Sequence, residues 1–246
     1  MRLRTTDISI PFERIWLNGE LVHAPDVAGL AVLLRPAGSP FAQSRDLRVA
    51  HQLQGAGFAT LLINLLTTYE EARDPDARFN VPQMANRVIA VLDWVGHQPP
   101  LSGLGMGLIA SDTASGAAIR AGGKAGERVA AIVCRGGRPD LAGLTPLNTL
   151  AVPLRMVVGS DDPHAGMIRQ ACDHLRSAHD WHVLAGVSEE FREPGAIERF
   201  GELAAAWLRD KLPPPGPVEQ RIHAPSVGAD EQSEGPSDQS AAPHPL

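Results

Sequence analysis

The residues of this chain that could do chemistry stand where apolar runs end. Ala110-Ser111-Asp112-Thr113-Ala114 follows one such run and leads into a helix-forming stretch of small residues. A tight strand-to-helix turn leaves no room for side chains beside its tip. Small residues around a single functional group are therefore the mark of a nucleophile elbow, here with Asp112 at the tip. Asp162 closes Gly159-Ser160-Asp161-Asp162 after a later run, the place for an acid that orients a base. Glu189, within Gly186-Val187-Ser188-Glu189-Glu190-Phe191, follows the last run, the place for the base itself.

Each of these admits a chemical and a plainer reading. A carboxylate at the elbow can attack carbon, but the ester so formed must then be hydrolysed by an activated water. Asp112 can instead cap the helix that follows, meeting free N–H groups and the helix dipole. Ser111 and Ser115 flank the tip and are alternative nucleophiles. Glu189 can act as general base if its carboxyl is tuned toward neutral pH, or remain a solvated loop residue. Three carboxylates in one pocket raise one another's pKa and attract cations, so oxygen ligation of a divalent metal is a further possibility. The reading adopted includes neither metal nor cofactor. His164 lies two residues past Asp162 and would enter the cleft from the side opposite a triad base. His182 falls inside an apolar run, as structural histidines do. Cys134 ends a run and reads as a buried small hydrophobe. Arg135 and Arg138 flank two glycines at another exit, where guanidinium groups can take a carboxylate or phosphate bidentately or offset nearby acids. With Arg35 and Ser111 they make up the candidate substrate-binding set.

These groups must be carried by alternating strands and helices. Residues 29–34 (GLAVLL), 58–63 (FATLLI), 107–110, 129–134 (VAAIVC), 154–158 (LRMVV) and 181–184 are short apolar runs, as expected of strands buried on both faces. Helical patterns separate them at residues 44–54, 81–94, 113–121, 164–178 and 195–212. Asn18-Gly19, inside residues 14–24, suits the turn of an edge hairpin. Strand–helix alternation implies right-handed crossovers and a doubly wound α/β fold with a mostly parallel sheet. In such sheets ligands bind at the carboxyl ends of the strands, where all the candidates fall. One domain is expected over residues 1–212. Residues 213–246 are rich in proline and serine and lack apolar periodicity, and are expected to be a disordered tail.

The chain has 246 residues and a formal net charge of −6, which disfavours nucleic acid or an anionic membrane as partner. No apolar run reaches the ~20 residues of a membrane helix, and the N-terminus lacks a secretory core. Two cysteines, Cys134 and Cys172, form neither a disulfide framework nor a zinc site. A cytoplasmic protein is expected, with a small molecule or another protein as partner.

Four phrases carry a family resemblance: LLINLLT at 61–67, CRGGRPDLAG at 134–143, VVGSDD at 157–162 and EPGAIE at 193–198. With the order of elements and the elbow, they resemble the dienelactone-hydrolase-like branch of the α/β-hydrolase superfamily. The resemblance implies a serine or cysteine nucleophile, an aspartate and a histidine that open esters or lactones without a metal. Position by position, the nucleophile falls on Asp112, the acid on Asp162 and the histidine on Glu189. A His-Gly pair by the oxyanion loop falls on Arg35-Pro36. Only the acid keeps its type, so the resemblance implies the fold with a degenerate triad. The first expectation is a catalytically silent protein that binds a small molecule or partner. The second is a hydrolase of esters, lactones or related substrates with a rewired site. It would use Asp112, as haloalkane dehalogenases and epoxide hydrolases of the superfamily use a carboxylate, or Ser111 or Ser115, with Glu189 or His164 as base.

Overall fold

A computed structural model describes residues 2–42 and 44–216. The expectation for the 213–246 tail lies, beyond Gly216, outside the described residues. The expected α/β architecture is present. Eight strands form one sheet in the order β1-β2-β4-β3-β5-β6-β7-β8. They are β1 (Arg4–Phe12), β2 (Ile15–His23), β3 (Leu30–Arg35), β4 (Ala59–Asn64), β5 (Met106–Ser111), β6 (Ala131–Arg135), β7 (Leu154–Gly159) and β8 (His179–Leu184). β3 to β8 run parallel, so all six present their carboxyl ends along one edge.

Every residue of β3 and β4 is buried, which is why they read as continuous apolar runs. Successive side chains still take opposite faces. Val32 and Leu34 of β3 join a core with α3 (Val81–Gly96) and α4 (Ala114–Ala125), while Ala31 and Leu33 join a core with α1 (Arg45–Gly55) and α7 (Ala196–Lys211). The smaller helices are α2 (Thr68–Arg73), α5 (Leu144–Thr149) and α6 (Ala165–Cys172). Ser44 caps α1, its hydroxyl accepting from the Leu47 N–H at 3.0 Å.

The hairpin differs from expectation. Asn18-Gly19 lies inside β2, and the reversal is at Glu13-Arg14, between paired Phe12 and Ile15. Glu13 takes the left-handed conformation, φ 53°. Gly19 answers a different demand. β2 also pairs antiparallel with β4, and a Cβ at Gly19 would lie 2.8 Å from Ile63 Cδ1 and 2.9 Å from the Leu62 carbonyl oxygen. The glycine admits a neighbouring strand, a use that resembles a turn in sequence.

Candidate functional site

The elbow is built as its small residues require. β5 ends at Ser111, Asp112 turns with φ 50°, and α4 begins at Ala114. A left-handed non-glycine residue is costly and persists only where its surroundings impose it. Here the Asp112 carbonyl accepts from the Ser115 N–H at 3.1 Å and the Arg138 N–H at 3.0 Å. The Asp112 side chain does not cap α4: Thr113 holds the cap position, and no side-chain bond is made there.

The loop after β6 closes on the elbow from the neighbouring strand. Gly136 (φ 53°) and Gly137 (φ 93°) are both left-handed. A Cβ at Gly137 would stand 2.4 Å from the Asp112 carbonyl oxygen and 2.5 Å from Ser115 Oγ, and one at Gly136 would stand 3.3 Å from Asp162 Oδ2. The two glycines thus let the loop pass between elbow and acid. Ser115 is fully buried and its hydroxyl donates to the Gly136 carbonyl at 3.1 Å. Ser111 Oγ accepts from Arg135 Nη2 at 3.0 Å. Burial pushes the Cys134 thiol up to about 12, which removes it as a nucleophile near neutral pH.

Around these residues opens a polar cavity of about 880 Å³ at the carboxyl edge of the sheet. Asp112, Asp162 and Glu189 all line it, as do Arg35, Ser111, Arg135 and Arg138. The three acids share the cavity without converging: among the described residues no cluster of three His, Cys, Asp or Glu side chains could hold a metal ion. Asp162 is buried, and its Oδ1 accepts from the His164 N–H at 2.8 Å. His164 also lines the cavity, its Nε2 3.4 Å from Glu189 Oε2, both side chains half exposed.

The arginines divide by what they hold. Arg35 is spent on the loop after β3: Nη1 donates to the Ser39 carbonyl (2.8 Å) and Asn64 Oδ1 (2.7 Å), and Nε lies 3.4 Å from Asp46 Oδ2. Arg138 forks onto Asp140 at 2.9 and 2.7 Å. Arg135 Nη2 donates to Asp46 Oδ1 at 2.8 Å, and its guanidinium faces the rings of Phe191 and Phe200. Burial lowers the Arg135 pKa, Asp46 and Asp112 oppose that, and Arg45 and Arg48 add to it.

Asp46 escaped the sequence reading, as did Arg45 and Arg48 beside it on α1 and Glu71, Arg78 and Glu190 of the lining. Asp46 lies in the first turn of α1, where an acid needs no further reason than the helix dipole. The signal that Arg45, Asp46 and Arg48 do carry is position: all three stand in the first turn of the helix that follows the exit of β3.

No family model matches the chain. A crystal structure of dienelactone hydrolase from Anabaena variabilis superimposes with a TM-score of 0.81 at 33% identity, covering 87% of this chain and 100% of that one. The chain belongs to the dienelactone-hydrolase family of the α/β hydrolases. An α/β serine hydrolase homologue from Coxiella burnetii has the same fold at 16% identity (TM-score 0.67, covering 82% of this chain and 96% of that one). So does a cold-adapted esterase from an Arctic intertidal metagenomic library at 13% identity (TM-score 0.66, covering 86% and 94%). Two Mycobacterium tuberculosis proteins provisionally named phosphoribosyl transferases are 34% identical over 216 residues, 87% of this chain and 48% of theirs. The chain therefore spans about half the length of the curated relatives it matches.

Proposed function

We propose that this member of the dienelactone-hydrolase family is silent toward serine-type ester hydrolysis and uses its cavity to bind a small molecule. The observation that carries this reading is the elbow. Its tip bears a carboxylate, and the two adjacent hydroxyls are engaged, Ser115 under the Gly136 carbonyl and Ser111 under Arg135. A serine hydrolase needs a nucleophilic oxygen, a base near neutral pKa and two oxyanion donors together. On the alignment implied by the family, Glu189 takes the base position, and Pro36 removes one N–H from the oxyanion loop. No described helix is long and apolar enough to cross a membrane. A small-molecule role without nucleic acid agrees with the net charge of −6. The name of the mycobacterial relatives adds phosphoribosyl compounds to the ligands worth testing.

The test is incubation of the full chain with a fluorophosphonate and with short-chain p-nitrophenyl esters, followed by intact mass and by turnover. No adduct and no turnover are expected. A phosphonate on Ser111 or Ser115 would overturn the reading.

The His164–Glu189 pair favours a second reading, a hydrolase with a rewired site. An imidazole oriented by a carboxylate in the same cavity as Asp112 is a base and a nucleophile within one enclosure. Incubation with an alkyl halide or an epoxide separates the two readings. An alkyl ester on Asp112 that accumulates in a His164→Ala variant and turns over in the parent supports the hydrolase.

A further inference from the structure

Two groups of the cavity have bonding capacity left over, and they are of opposite sign. Arg135, on β6, is 8% exposed, yet only Nη2 has acceptors; among the described residues Nε and Nη1 have none. Its counter-ion is shared, because Asp46 also serves Arg35, so two buried guanidinium groups divide one carboxylate. A buried cation in that state favours an added anion. Asp112 is exposed into the cavity, and its carboxylate accepts no hydrogen bond and joins no ion pair among the described residues. It favours an added donor.

The sheet register sets these needs side by side. Ser111 is paired with Arg135 across β5 and β6, so Asp112 follows directly on the partner of the arginine. The two form no ion pair, yet the field of Asp112 reaches Arg135. A bare anion would gain Arg135 and be repelled by Asp112. An anion carrying a hydroxyl or amine a few bonds from its charge would satisfy both.

Resting on the reading of the cavity as a small-molecule site, we propose that its ligand is a small organic anion, carboxylate or phosphate monoester, with a neighbouring hydroxyl or amine. Arg135 takes the anion and Asp112 accepts from the donor. The negative elbow residue thereby selects for hydroxylated or aminated anions over plain ones.

Isothermal titration calorimetry on the full chain tests this with matched probes: glycerol 3-phosphate against propyl phosphate, and glycerate against propionate. The hydroxylated member of at least one pair is expected to bind tenfold or more tightly than its plain partner. Arg135→Gln and Arg135→Lys should each weaken that probe at least tenfold, with far-UV circular dichroism confirming the fold. Asp112→Ala, at an exposed position, should bring the two members of the pair within threefold of each other. Equal binding within both pairs, no saturable binding of any probe, or a preference that survives Asp112→Ala would each overturn the ligand class. None of these results would produce a phosphonate adduct or ester turnover, which alone overturn the proposed silence toward esters.

Discussion

Two buried arginines of this protein are held in opposite ways. Arg87, on α3, is 1% exposed and has a carboxylate of its own. Its Nη1 donates to the Leu65 carbonyl at 2.6 Å and to Glu70 Oε2 at 3.0 Å, and Nη2 bonds Glu70 Oε1. Glu70 also completes the capping box of α2 with Thr67. Burial by itself would raise the Glu70 pKa; the hydrogen bonds from Arg87 and Thr67 outweigh it and hold the carboxyl below its ordinary range. Arg87 Nε is left without an acceptor among the described residues, but it is sealed from solvent. Arg135 shares its carboxylate with Arg35 and lines the cavity. Balanced charge at Arg87 makes a fastening, while unbalanced charge at Arg135 leaves capacity for something else.

The largest effect should come from unbalancing the fastening. Glu70→Gln leaves the Arg87 charge buried without a counter-ion and should cost about 4 kcal/mol in urea unfolding. The pH dependence has a matching sign. Because the Glu70 carboxyl is depressed in the folded chain, its contribution is complete above the unfolded value of 4.5 and is lost as pH falls below it. The parent should therefore lose stability on acidification through that window, with a smaller loss in Glu70→Gln. In the cavity, backbone geometry should matter more than charge. Gly137→Ala places a methyl against the Asp112 carbonyl at a left-handed position and should cost about 3 kcal/mol. Asp112→Val, a branched residue at φ 50°, should cost about 2 kcal/mol, and Asp112→Gly should unfold at the same or higher urea. The smallest effect is expected at Arg135→Met: Asp46 keeps Arg35, the thioether packs on Phe191 and Phe200, and the loss should stay under about 1 kcal/mol. A loss there as large as that of Glu70→Gln would erase the distinction between the two arginines.

The parallel strands were legible because burial on both faces leaves little but apolar residues in 29–34 or 58–63. The elbow was legible because the turn at Asp112 tolerates only small neighbours. The hairpin turn was misplaced because the actual reversal at Glu13-Arg14 carries neither glycine nor asparagine, while Asn18-Gly19 does. The cavity was legible only in part. Strand exits pointed to Asp112, Asp162, Glu189 and Arg135, since topology brings such exits together. Asp46 lies 89 residues from Arg135 along the chain, and nothing in α1 marks its carboxylate as a bridge. A shared counter-ion is a property of three side chains in space and has no local pattern.

The left-handed turn at Asp112 also bears on how this fold can be repurposed. The conformational cost of presenting an unbranched reactive group just past the end of β5 is already met by the surrounding loop. A designer seeking an esterase on this chassis would therefore begin with side-chain exchange, D112S together with E189H, and only afterwards restore the N–H that Pro36 removes. The rate that such a retrofit attains would measure how much hydrolytic power resides in the geometry of a turn and how much in the groups mounted on it.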